Sequence, residues 1–140
     1  MSNIITQTVI NKTSVPILRR MLDLSSFRHK LVASNIANVT TPGYKAKSMD
    51  FDYELKKAIK PDRIPVKTTH PHHIPLRSSK DSPPNVELSE ETNNSTGINS
   101  VDIDHEMADL AQNQLVYELG AKLMSNKFKA LKSAIRGRPL

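Results

Sequence analysis

The sequence predicts a mainly α chain: two long terminal amphipathic helices packing as a coiled coil, with a Pro-rich irregular or small-β middle region. Three observations carry this reading. Apolar residues at three- and four-residue spacing fill 15–38 and 101–135 and thin out between. Six of the nine prolines fall within 61–100, which excludes central strands there. Aromatics make up only 4% of the 140 residues, with no Trp, so the large rings that dominate a dense core are scarce. The terminal helices are therefore expected to find much of their core in neighbouring molecules.

Residues 1–13 are polar and β-branched and read as a mobile N-terminal segment. The first helix is placed over 14–39, with Ser14 as N-cap and Pro16 in the first turn, where its missing N–H costs little. Its stripe includes Leu18, Met21, Leu24, Leu31 and Val32. Thr40, Thr41, Pro42 and Gly43 end it, with Gly43 suited to the positive φ of a type II turn. The turn opens a 40–60 segment in which Met49–Ile59 is read as a short helix, since Phe51, Leu55 and Ile59 lie four apart. Residues 61–100 form a Pro/Asn/Ser-rich middle region or linker, with Ile64–Thr68 and Ile74–Ser78 as edge strands at most.

The second long helix is placed over 101–136. Ile103, Met107, Leu110, Gln114, Tyr117, Ala121, Met124, Phe128, Leu131 and Ile135 alternate four- and three-residue steps, and only Gln114 is polar. A seven-residue period sustained over four heptads marks a coiled-coil seam. Leu115, Val116, Leu119 and Leu123 add a second apolar flank, so this helix needs more than one neighbour. Acidic residues crowd its start and basic residues its end, as the helix dipole favours. At 1.5 Å per residue it spans about 50 Å, against about 36 Å for the first helix.

The chemistry-bearing patterns are few. The chain has no Cys, which removes disulfides and thiolate metal sites. His70, His72 and His73 invite a metal reading, but Pro71 interrupts them and the nearest acids, Asp62 and Asp81, lie well outside. No metal and no cofactor are expected. There is no G-x-S-x-G motif and no phosphate-cradling loop, so catalysis is not expected. A net charge of +6 and a pI near 9.7 raise a nucleic-acid reading, with Tyr44 and Tyr53 beside Lys45, Lys47, Lys56 and Lys57. Scattered bases on solvated helix faces explain the charge better. The N-terminal residues do not read as a cleaved signal, and no segment reads as a membrane span.

One constellation is more specific. Asn35-Ile36-Ala37-Asn38-Val39-Thr40-Thr41-Pro42-Gly43-Tyr44-Lys45 is a helix end running into a Pro-Gly turn. An ordinary stop accounts for Pro42 and Gly43 but not for Asn35 and Asn38, which can bond free carbonyls or a neighbouring chain. The run resembles the signature of the bacterial flagellar rod and hook proteins, whose N-terminal helix ends in Ala-Asn-x-x-Thr-Pro-Gly-Tyr. Residues 28–38, 45–51 and 100–137 also resemble a small proximal rod member of that family, better than they resemble its sister FlgC, the alternative. The small size agrees, because distal rod and hook proteins carry inserted domains. The resemblance implies a structural subunit of the periplasmic rod, a drive shaft built from coiled-coil terminal helices. It implies self-association and, as partners, FlgC, distal rod subunits, the adaptor FliE and the type III export apparatus, with export lacking a cleaved signal. By this reading Asn35, Asn38, Pro42, Gly43 and Tyr44 form the assembly motif. Leu24, Leu31, Met107, Leu110, Tyr117, Met124, Phe128 and Leu131 are the expected helix-packing positions. Nucleic acid and membrane are not expected partners.

Overall fold

The computed structural model describes residues 14–59, 83–89 and 99–137. The expected mobile segment 1–13, both edge strands, the histidine cluster at 70–73 and most of the linker lie outside the described residues. Three helices and two short strands make up the rest: α1 (Val15–Ala37), β1 (Lys47–Ser48), α2 (Phe51–Ile59), β2 (Glu87–Leu88) and α3 (Ile103–Arg136). The mainly α architecture that the sequence predicts is the one observed, with α1 and α3 packed together.

Each helix has a local reason to start and stop. Ser14 occupies the N-cap of α1 and Pro16 its first turn, but the Ser14 side chain makes no capping hydrogen bond. Asn38 caps the other end, and its Nδ2 donates to the Ser34 carbonyl at 2.7 Å, one of the groups a helix end leaves free. Gly43 then takes φ +71, and the Tyr44 N–H bonds to the Thr41 carbonyl at 3.3 Å, closing the turn. Asp50 opens α2 by accepting the Tyr53 N–H at 2.8 Å. Asp102 opens α3 by accepting the N–H groups of Asp104 and His105 at 3.0 and 3.3 Å. Gly137 ends α3 at φ +64, the left-handed conformation that closes many helices.

α1 is the hub. Leu24 and Leu31, one heptad apart, join Met49 in a small apolar core, flanked by Phe27, Phe51 and Leu55. That core carries α2 and leads into β1, which pairs antiparallel with β2 in the register Lys47 opposite Leu88 and Ser48 opposite Glu87. α1 also meets α3, antiparallel, along most of its length: Ser25 bonds to Asn113, Arg28 to Asp109 and Asn35 to Glu106. Only seven apolar side chains among the described residues are buried: Val15, Leu18, Leu24, Leu31, Val32, Met49 and Val101. Two acids, Glu54 and Glu106, and four asparagines or serines, Ser25, Asn35, Asn99 and Asn113, are also buried.

Candidate assembly site

The Asn-x-x-Asn motif is a hydrogen-bond junction. Asn35 is 1% exposed and uses all four of its bonding positions. Its Oδ1 accepts the Lys47 N–H at 2.9 Å and the Tyr44 hydroxyl at 3.2 Å. Its Nδ2 donates to the Lys47 carbonyl at 2.9 Å and to Glu106 Oε1 at 2.8 Å. One side chain thus ties the last turn of α1 to the Pro-Gly turn, to β1 and to α3. The Tyr44 proton is committed to Asn35, so the Ser34 hydroxyl 3.1 Å away donates to Tyr44. The Lys47 ammonium sits 5.9 Å from the Tyr44 ring centroid, within cation–π range. Pro42 and Gly43 are exposed at the tip.

The segment that leads into α3 seals the same corner. Asn99 Nδ2 donates to the carbonyls of Asn38, Val39 and Thr41, and Asn99 Oδ1 accepts the Val101 N–H. The Ser100 hydroxyl accepts the Ala46 N–H at 2.7 Å, and the Ser100 N–H donates to the Tyr44 carbonyl at 3.2 Å. The free carbonyls after α1 are therefore satisfied from about 60 residues away in sequence. Nothing local to Asn99 announces this role.

The contact between α1 and α3 differs from the expected apolar seam. Along α3 the buried positions are Glu106, Asn113 and Gly120, which lie seven apart and one residue before Met107, Gln114 and Ala121. Asn113 and Ser25 exchange two hydrogen bonds: Ser25 Oγ to Asn113 Oδ1 and Asn113 Nδ2 to the Ser25 carbonyl, both 2.9 Å. Arg28 pairs with Asp109 at 3.1 Å. At Gly120 an added Cβ would lie 3.1 Å from Leu22 Cδ2, so the helices approach closely there. Of the expected packing positions, Leu24 and Leu31 are buried, and Leu110, Met124 and Leu131 are half-buried. Met107, Tyr117 and Phe128 stay exposed at 51%, 46% and 52%. The polar row is recognisable by its seven-residue period, but hydrophobic patterning scores it as solvent-facing.

Glu106 sets the electrostatics of the junction. Burial pushes its carboxyl above the usual carboxylate range, and Asp109 adds to this; the Asn35 hydrogen bond, His105 and Arg28 oppose it. The folded chain therefore holds this proton more tightly than the unfolded chain, whose ordinary value is 4.5. The resulting stabilisation is full below 4.5 and is lost as pH rises through the higher folded value. Glu106→Gln keeps an oxygen for Asn35 and removes the charge. Urea midpoints from pH 4 to 7 are expected to show the variant gaining on the parent chain as pH rises, with the gap closing towards pH 4.

Beside the junction a cleft of about 270 Å³ opens between α1, β1 and the start of α3, edged by Arg28, Lys47, His105 and Asp109. Among the described residues no three His, Cys, Asp or Glu side chains are placed to hold a metal ion. No helix among them is long and apolar enough to cross a membrane.

No protein-family model matches the chain. The chain is similar to the flagellar basal body rod protein FlgB of Salmonella typhimurium, 33% identical over 123 residues, covering 83% of this chain and 88% of that protein. It is 34% identical over 120 residues to FlgB of Bacillus subtilis, covering 86% and 91%. It is 32% identical over 129 residues to FlgB of Borreliella burgdorferi, covering 88% and 96%. These matches favour the rod reading over FlgC and over a basic nucleic-acid-binding protein. With identity above 30% across more than four fifths of each chain, the protein belongs to the FlgB family of flagellar basal body rod proteins.

Proposed function

We propose that this structural rod subunit sits in the proximal part of the flagellar rod and carries torque across the periplasm through packed helices, without a catalytic step. It reaches the rod unfolded or partly folded through the type III export apparatus, with no cleaved signal. Its neighbours are further copies of itself, FlgC and distal rod subunits, with the adaptor FliE at the base. Asn35, Asn38, Pro42, Gly43 and Tyr44 set the angle at which the chain leaves α1, and so the shape presented to those neighbours.

One observation carries this reading. The α1–α3 contact uses the polar row of α3 and leaves apolar residues on both of its flanks exposed, Met107, Tyr117 and Phe128 on one and Leu115 and Leu119 on the other. Exposed apolar surface on such a scale marks an interaction surface. Phe128→Asp is the direct test. Because Phe128 is half exposed, the isolated chain is expected to keep its helicity and to lose at most about 0.5 kcal/mol. Rod assembly and motility are expected to be abolished. A Phe128→Asp strain that swims normally removes this stripe as the assembly surface. Leu110→Asp, at a half-buried position, is expected to lose both motility and stability.

A further inference from the structure

The cleft of about 270 Å³ between α1, β1 and the start of α3 has no part in the packing of the rod helices. Its lining divides by chemistry. Leu31, Val32 and Met49, all buried, supply apolar surface, and Asp102, Glu106 and Asp109 supply three carboxyl groups. Two of these acids are already engaged. Asp109 pairs with Arg28 at 3.1 Å, and Asp102 Oδ1 accepts two N–H groups at the helix start. Glu106 is only half used. It is 8% exposed, its Oε1 accepts from Asn35, and among the described residues no hydrogen bond reaches its Oε2. A buried carboxyl oxygen left without a donor is costly, so what the cleft lacks is a donor. The bases at its edge do not supply one. Arg28 is held by Asp109, the Lys47 ammonium lies over the Tyr44 ring, and His105 is exposed.

We propose that this cleft binds a primary alkylammonium group, its ammonium on Glu106 and its hydrocarbon stem along Leu31, Val32 and Met49. A lysine side chain of a neighbouring protein and a free alkylamine share that chemistry. A charged donor bonds a carboxylate more strongly than a neutral one, and a compact ammonium carries three N–H groups. The stem covers apolar surface that a bare cation would leave wet. The inference goes beyond the rod reading and does not rest on it. The cation binds the ionised form of Glu106, and burial holds that carboxyl above the usual carboxylate range, so binding releases a proton. Affinity is therefore expected to rise with pH through the titration of Glu106, by up to about tenfold per pH unit, and then to level off. The other charged or titratable groups on the cleft are Arg28, Lys47, Asp102, His105 and Asp109. Histidine is the side chain that ordinarily titrates near neutrality, so His105→Gln is the control, and it is expected to leave the rise in place.

The test titrates the full chain with n-butylammonium, which matches a lysine stem, and follows the backbone amide NMR signals of Met49 and Glu106. Saturable shifts with a Kd on the order of millimolar are expected, as for one ion pair at a half-open site. Butanol, with the same stem and no charge, is expected to bind at least tenfold more weakly. Glu106→Gln keeps an oxygen for Asn35 and is expected to lower the ammonium affinity at least tenfold. No saturable shift, equal binding of butanol, or unchanged binding in Glu106→Gln overturns the proposal. The source of the ammonium is read in cells, with a photo-cross-linking residue in place of Ser48, an exposed residue of the cleft. A cross-link to a peptide whose lysine, once changed to Ala, abolishes it assigns a protein side chain. Butylammonium binding without such a cross-link assigns a free amine. Absence of the chain from basal bodies, with butylammonium binding intact, sinks the rod reading and leaves this one standing.

Discussion

Replacing Asn35 with Ala is expected to unfold the junction and abolish motility, although the side chain removed is small and polar. Asn35 has no solvent to fall back on, being 1% exposed. Its removal strands the Lys47 N–H and carbonyl and the Glu106 carboxyl, and leaves the Tyr44 hydroxyl only Ser34. A buried group left unsatisfied costs about 1–3 kcal/mol, and groups in one network lose more together than singly. A loss of about 3 kcal/mol or more is expected in urea unfolding. Glu106 suffers most, because it keeps its buried position and loses its nearest donor. Asn35→Asp separates the two halves of the network: it retains the acceptor for Lys47 and Tyr44 but removes the donor and sets a second carboxylate against Glu106. It is expected to be destabilised at neutral pH and to recover when the pH is lowered.

The second large effect is expected at Gly120. An added Cβ meets Leu22 Cδ2 at 3.1 Å and Met21 Sδ at 3.7 Å. Gly120→Ala sets a gain in helix propensity of about 1 kcal/mol against that crowding, and Leu22 can yield because its methyl is the end of a flexible side chain. Its net effect is expected to be small. Gly120→Leu has no such escape. The larger side chain wedges α1 from α3 beside the Ser25–Asn113 pair, and a cost of about 1–3 kcal/mol is expected. Leu22→Ala in the Gly120→Leu background should return part of it. Equal unfolding midpoints for Gly120→Leu and the parent chain would mean that the helices are not in contact there.

The long elements were legible because their cause is periodic. Apolar spacing, the acidic start and basic end of α3 and the Pro42–Gly43 stop all act within a few residues. The face of α3 that meets α1 was not legible. Apolar periodicity points to Met107, Tyr117 and Phe128, yet the intrachain contact is made by Glu106, Asn113 and Gly120. Glu106 and Asn113 turn inward because Asn35 and Ser25 supply matching polar groups, and Gly120 because it leaves room for Leu22, a match that exists only in three dimensions. The same holds for Asn99, whose partners are the carbonyls around the end of α1. A polar residue inside a linker carries no mark of the distant groups it will satisfy. The motif asparagines were found through resemblance, while the reason for Asn35 emerged only from its four hydrogen bonds.

The Ser25–Asn113 pair spans 88 positions of sequence, and that separation governs when the fold can form. Contacts between residues far apart must close a long loop before they yield any stabilisation, which slows folding. Until residues near 106–120 are present, α1 has only α2 and β1 to pack against, and Asn35 lacks its Glu106 partner. A chain delivered N-terminus first therefore has no route to its native hairpin until most of its length has emerged. The last long helix to arrive is the element that completes the fold, so premature compaction is avoided by the order of the sequence itself.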